Sequence, residues 1–178
     1  MDFARLFPEV DLISDDALRE KVRSVWLAAM ERGGWEEQDL SQIPFTLLIP
    51  GIRINLIAHT RAVTRCALKI AESLNESYGD LVINKDYLVA GGLLHDVGKL
   101  LEYERRDGGF RTSKNGEMLR HPVSGANIAG ECGLPVEVVH IIYTHSKEGD
   151  RYERSIESII IHHSDFLNFE PLKGRHHE

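Results

Sequence analysis

The stretch Leu93–Leu100, LLHDVGKL, places His95, Asp96 and Lys99 inside an apolar run, DYLVAGGLLHDVGKLLEY, whose other residues belong in a buried helix. Taking a carboxylate or an ammonium out of water without a partner costs several kcal/mol, and an isolated group usually gives up its charge first. The motif therefore needs compensation from elsewhere in the chain.

A helix turns about 100° per residue, so each polar side chain can be asked which face it shares. His59 lies on the stripe of Ile52, Leu56, Val63, Cys66 and Ile70, opposite Arg61, Arg65, Lys69 and Glu72, and is expected to point inward. His95, Asp96 and Lys99 fall on one polar strip, with Gly92 on its flank leaving space for something small. His145 sits amid Val138, Ile141 and Ile142 on a buried face, whereas His140 shares its face with Glu137, Thr144 and Lys147 and reads as solvent-facing. Asp165, between Ile161 and Phe169, is a further carboxylate needing an internal partner; His162 and His163 are ambiguous. His121, just before Pro122, fits a loop–helix junction from which it can aim into a cleft.

Singly, each of these residues has a plain structural explanation as a satisfied core or surface group. Together, four histidines and two aspartates facing inward are satisfied at once by a metal centre, and imidazole with carboxylate suits Fe, Mn, Zn or Ni. Six ligands exceed what one ion takes while keeping room for water; they suit two divalent cations bridged by a carboxylate, with Mg also among the candidates.

The elements that must position these groups are helical. A helix is expected over Asp15–Arg32, with Ser14 as N-cap and Gly33-Gly34 ending it. An ordered connector follows, then helices near 52–77, 85–104, 122–131, 135–147 and 153–169, with a polar, irregular loop, RRDGGFRTSKNGEMLR, after the third. Alternating strand patterns are nearly absent, so the fold class is all-α. Residues 1–50 are expected to form a helix and connector packed on the core, 51–170 the helical bundle that holds the site, and 171–178 a polar tail in which His176 and His177 play no part.

With 178 residues, 42% hydrophobic and 28% charged, the chain has the size and composition of one globular domain. A net charge of −7 argues against non-specific nucleic-acid binding, which rests on many cationic contacts to phosphates. It leaves room for a small phosphate substrate held by a few cations. No apolar run is long enough to span a bilayer, and the N-terminus does not read as a secretory signal. Cys66 and Cys132 form no metal or redox motif. A cytoplasmic location is the default expectation.

The order His59, then His95-Asp96 in LLHDVGKL, then Asp165 in IIHHSDFL resembles the HD superfamily of metal-dependent phosphohydrolases over roughly Asn55 to Asn168. The resemblance implies a single HD-domain bundle with one metal site formed by His59, His95, Asp96 and Asp165. It further implies a second site completed by His121 and His145, with Asp96 bridging; the helical-face argument favours His145 over His140. The GYP signature of cyclic-dinucleotide phosphodiesterases is not present. The segment KLLEYERRDGGFRTSKNGEMLRHPVSG is also similar to the HD domain of certain 3′–5′ exoribonucleases, but their separate nucleic-acid-binding domain has no counterpart here.

The activity so implied is hydrolysis of a phosphomonoester or phosphodiester, a nucleotide among the candidates, by a metal-bridging hydroxide. Asp96 and Lys99 are the expected catalytic residues, Lys99 binding the phosphate or developing oxyanion, with Arg105, Arg106 and Arg111 weighed as further phosphate contacts or as a solvated loop. Two rivals share the ligand set: a di-iron oxygenase of the same superfamily, and a non-catalytic sensor of nucleotides or metals. A homodimer contact is one role open to the N-terminal segment.

Overall fold

The computed structural model describes residues 2–174; His176 and His177 lie outside the described residues. The chain is helical, as expected. A single turn, α1 (Phe3–Leu6), and a 3₁₀ segment lead into α2 (Asp16–Gly33). Asp15, not Ser14, caps α2, accepting from the N–H groups of Ala17 and Leu18. Ser14 is instead drawn away by Asp86, which accepts from its backbone and its hydroxyl. Gly34, at φ 70°, ends the helix in the left-handed conformation that glycine adopts without cost.

The connector 35–54 is ordered because it is apolar: Trp35, Leu40, Ile43, Phe45 and Ile49 are all buried. The long helix α3 (Leu56–Ser77) starts four residues later than periodicity suggested, since Asn55 caps it by accepting from Ala58 N–H. Helix α4 (Lys85–Leu94) is the hub, packed against α2, α3 and two later helices. Gly91 and Gly92 make that packing close. A Cβ at Gly92 would come within 2.7 Å of Thr64 Oγ1 on α3, so this glycine seats one helix on another rather than opening space beside the polar strip.

The expected helix over 85–104 is interrupted at the motif. Residues 95–98 form tight turns in which Val97 N–H reaches Leu94 O and Lys99 N–H reaches Asp96 O, before α5 (Lys99–Glu102) resumes. The shorter i to i+3 spacing brings Lys99 directly over Asp96. The polar loop that follows is a β-hairpin, β1 (Tyr103–Arg106) antiparallel to β2 (Gly109–Thr112), with Asp107 and Gly108 both at positive φ in its turn. Asp-Gly is the residue pair such two-residue turns favour, so this signal was present in the sequence.

After α6 (Lys114–Met118) come α7 (His121–Glu131), α8 (Val136–Thr144) and α9 (Ile156–Gly174). Helix α9 runs through Pro171, so the first residues of the anticipated tail are helical. One large core joins α2, α4, α5, α7 and α8 through residues such as Trp26, Leu93, Val97, Leu100 and Ile142. A smaller cluster, including Ala67, Leu88 and Ile160, seals α3 to α4 and α9. No described helix is long and apolar enough to cross a membrane.

Candidate metal centre

The six inward-facing groups reach the centre from five separate parts of the fold. His59 projects from the first turn of α3, buried and stacked on Phe45 with ring centroids 4.3 Å apart. His95 and Asp96 stand at the broken end of α4, His121 is the first residue of α7, His145 follows the last turn of α8, and Asp165 lies midway along α9. Four imidazoles and Asp96 are buried; Asp165 is partly exposed.

These atoms converge as two groups that share Asp96. On one side, Asp96 Oδ2 lies 3.5 Å from His59 Nε2 and 3.4 Å from His95 Nε2. Asp165 Oδ1 joins at 2.9 Å from His59 Nε2 and 3.9 Å from His95 Nε2. On the other side, Asp96 Oδ1 lies 3.3 Å from His121 Nε2 and 3.7 Å from His145 Nε2, and the two imidazole nitrogens are 3.3 Å apart. Ligands held at about 2.1 Å by one cation are separated by about 3 Å or a little more. The spacing therefore fits an ion in each group, and His59, His95 and Asp96, like Asp96, His121 and His145, are geometrically able to hold one.

The hydrogen bonds point the same way. His95 Nδ1 donates to Gly92 O and His145 Nδ1 to Ile142 O, both at 2.7 Å. A carbonyl only accepts, so a neutral ring bonded this way carries its proton on Nδ1 and turns the Nε2 lone pair inward. His95 Nε2 is buried with no hydrogen-bond partner among the described residues, the orphaned atom that a ligating imidazole leaves when only protein is considered. The donor set is nitrogen and carboxylate oxygen without sulfur, which suits Fe, Mn, Zn or Ni.

Electrostatics favour ligating forms. Burial pushes the His59 and His121 imidazoles below their ordinary 6.5, keeping them neutral. Burial opposes the charge on Asp96, but Lys99 and His95 hold its carboxyl well below the usual range. Asp165 is likewise depressed against its burial, by its bond to His59 and the charge of His95. His95 differs: burial pulls it down, yet the neighbouring Asp96 and Asp165 carboxylates raise it overall. A ring so placed binds a proton or a cation in the same field of negative charge.

Lys99 is buried and already engaged, with Nζ 2.6 Å from Asp96 Oδ2 and 2.5 Å from Phe45 O. Both Asp96 and Lys99 line a cavity of about 260 Å³ that also exposes His121 and Asp165. Besides Lys99, its cations are Arg120, Lys147 and Lys173, not the three arginines weighed from the sequence. Arg105 is bound to Asp39 and Gln42, Arg111 to Glu104, and Arg106 lies 3.8 Å from Asp107 beside the hairpin turn. Apolar walls come from Leu47, Leu48, Phe166 and Phe169.

Sequence reasoning missed Glu102, a buried carboxylate 2.8 Å from His121 Nδ1, because nothing in local periodicity links residues nineteen positions apart. His140 is half-buried and accepts from Ser155 N–H rather than meeting bulk solvent, while Thr144, assigned to its solvent face, is buried against Ser158. His162 stays outside the centre but donates Nδ1–H to the His145 carbonyl; His163 is exposed.

The family model described as HD domain matches residues 56–168, well over half of the chain. The chain belongs to the HD-domain family. A curated relative, dihydroneopterin 2',3'-cyclic phosphate phosphodiesterase of Methanocaldococcus jannaschii, is 32% identical over 171 residues. The similarity covers 90% of this chain, which spans 66% of that protein's length. No solved structure matches the chain.

Proposed function

We propose that this HD-domain protein is a metal-dependent phosphohydrolase acting on a small phosphoester. The observation that carries the reading is the shared carboxylate: Asp96 turns Oδ2 to His59 and His95 and Oδ1 to His121 and His145. His59, His95, Asp96 and Asp165 would hold one divalent cation, and Asp96, His121 and His145 a second. Bound there, such cations supply Lewis acidity and acidify water for attack on phosphorus.

The chain's own groups do the positioning. An ammonium has three donors; Asp96 and Phe45 take two from Lys99, leaving one directed to a phosphoryl oxygen in the cavity. Lys147 and Lys173 at the wall attract an anionic substrate, while Phe166, Phe169 and Leu48 receive its organic part. In hydrolysis, water adds to phosphorus and the ester oxygen departs with a proton. The relative's name makes a 2',3'-cyclic phosphate the first diester to try. The site-bearing unit in this reading is 51–170, with 1–50 packed as its supporting layer.

The test pairs metal content of the purified protein with phosphate or alcohol release from an aryl phosphate, a bis-aryl phosphate and a 2',3'-cyclic nucleotide, with dioxygen uptake followed in parallel. Divalent-metal-dependent turnover that Asp96→Asn abolishes is expected. Dioxygen uptake without ester hydrolysis, or metal binding without turnover of any ester, would overturn the reading.

A further inference from the structure

The histidines of the centre are not held alike. His95 and His145 each give Nδ1–H to a backbone carbonyl within their own turn, Gly92 O and Ile142 O. His121 has no such carbonyl: its Nδ1 lies 2.8 Å from Glu102 Oε2, and the same oxygen accepts the His121 backbone N–H at 2.6 Å. Glu102 is itself locked. Arg120 Nη1 is 3.1 Å from its other oxygen, Ser113 N–H bonds its carbonyl, and a Cβ at Gly116 would come within 2.4 Å of that carbonyl. Helix α6 thus packs directly on the Glu102 backbone.

We propose that Glu102 is a positioning residue for the Asp96, His121 and His145 group, fixing His121 so that its Nε2 lone pair faces Asp96 Oδ1 and a divalent cation. An ionised carboxylate only accepts, so the His121 proton resides on Nδ1 and the ring cannot flip without losing its partner. The paired bond to N–H and Nδ1 of one residue fixes the helix start and the ring together. Among the described residues the hydrogen bonds and ion pairs of the Glu102 carboxylate go to His121 and Arg120 and not to His59, His95 or Asp165, so its direct influence falls on one of the two cation positions. The cation part of this inference rests on the reading of a two-metal phosphohydrolase given above.

Two measurements separate the parts. Imidazole ¹⁵N NMR of the metal-free protein at pH 8 reads the tautomer directly. The wild type and Glu102→Gln, whose amide oxygen still accepts, should show His121 protonated on Nδ1; Glu102→Ala should lose that preference. Titration with Mn²⁺ or Zn²⁺ should then show one of two sites weakened by about 10–100-fold in Glu102→Ala, largely restored in Glu102→Gln, and the other site unchanged. An unchanged His121 tautomer in Glu102→Ala would overturn the positioning role. A switched tautomer with unchanged affinities would overturn its link to the cation alone. A wild-type protein binding no divalent cation would overturn the phosphohydrolase reading and the cation half of this one, with the tautomer result still deciding the rest.

Discussion

Lys99 Nζ sits 2.6 Å from Asp96 Oδ2 and 2.5 Å from the Phe45 carbonyl, so one ammonium joins the connector before α3 to the carboxylate at the centre of the site. Both charges are buried, and burial opposes each. The pair prevails, lowering Asp96 well below 3.8 and raising Lys99 above 10.5.

That pair gives the metal-free protein a defined pH window. Asp96, with its folded pKa depressed, contributes stability that is complete above its unfolded value of 3.8 and is lost as pH falls toward the depressed one. Lys99, with its folded pKa raised, contributes stability that is complete below 10.5 and is lost as pH rises through the raised value. Urea unfolding in the presence of a chelator should show this contribution holding through the neutral range and declining on both flanks. A decline near pH 6 reports His59 and His121, whose depressed folded pKa values cost stability as pH falls through 6.5. The pair is read from the difference between wild type and Lys99→Met, and a difference that itself fell away near pH 6 would place the controlling groups elsewhere.

Removing Lys99 leaves a buried carboxylate without its counter-charge, a change that costs about 3–5 kcal/mol in comparable buried pairs. Lys99→Met should therefore lower the unfolding free energy of the chelated protein by about that amount. Divalent cations, which offer Asp96 another positive neighbour, should recover part of the loss. Denaturation with and without Mn²⁺ checks both; equal losses in the two conditions would show that Asp96 gains nothing from the cation.

Gly98 allows α7 to touch the motif. A Cβ there would lie 2.1 Å from His121 O and 2.7 Å from Gly125 N, both backbone atoms that cannot swing aside. Gly98→Ala should displace His121, cost about 1–3 kcal/mol by overpacking, and, on the two-cation reading proposed above, lower the metal bound per chain. Gly130→Ala, on the same helix with nothing within 4 Å of the added carbon, should be neutral or stabilising by about 0.5–1 kcal/mol. Metal analysis and thermal melts of the two variants make the comparison.

Lys147 is an exposed cation on the cavity wall and lies outside the ligand groups. Lys147→Glu should raise KM for an anionic phosphoester by about tenfold, worth about 1.4 kcal/mol, with kcat nearly unchanged. The effect should shrink as salt is added, because the contact is screened. An unaltered KM at low ionic strength would remove Lys147 from substrate binding.

Much of the site was legible because polar residues on amphipathic helices betray themselves by face. His59, His145 and Asp165 each interrupt an apolar stripe, and the structure brings all three to Asp96 or its partners. Helix existence was equally readable from Leu18 to Ala29 and from Leu56 to Ala71, where buried residues recur at helical spacing. What escaped was long-range or local in a different sense. Glu102 meets His121 across a hairpin and a short helix, and no periodicity spans that gap. The break after Leu94 is invisible to a helical wheel because its residues stay right-handed while their hydrogen bonds shorten to i+3. Arg105 and Arg120 are equally charged in sequence; only the fold turns one toward Asp39 and the other toward the cavity.

The interruption of the motif helix frees carbonyls that a continuous helix would have satisfied. Val97 N–H bonds Leu94 O, and the Leu93 carbonyl is taken by the indole N–H of Trp26 at 3.0 Å; Leu100 O, at the other end of the motif, is taken by that of Trp35 at 2.6 Å. Two tryptophans from the first fifty residues thus hold the main chain on either side of the His-Asp pair, like a pair of clamps on a workpiece. A fragment trimmed to the family boundary at residue 56 would expose two main-chain acceptors inside a greasy interior, and grafting the motif into another scaffold would require importing those indoles with it.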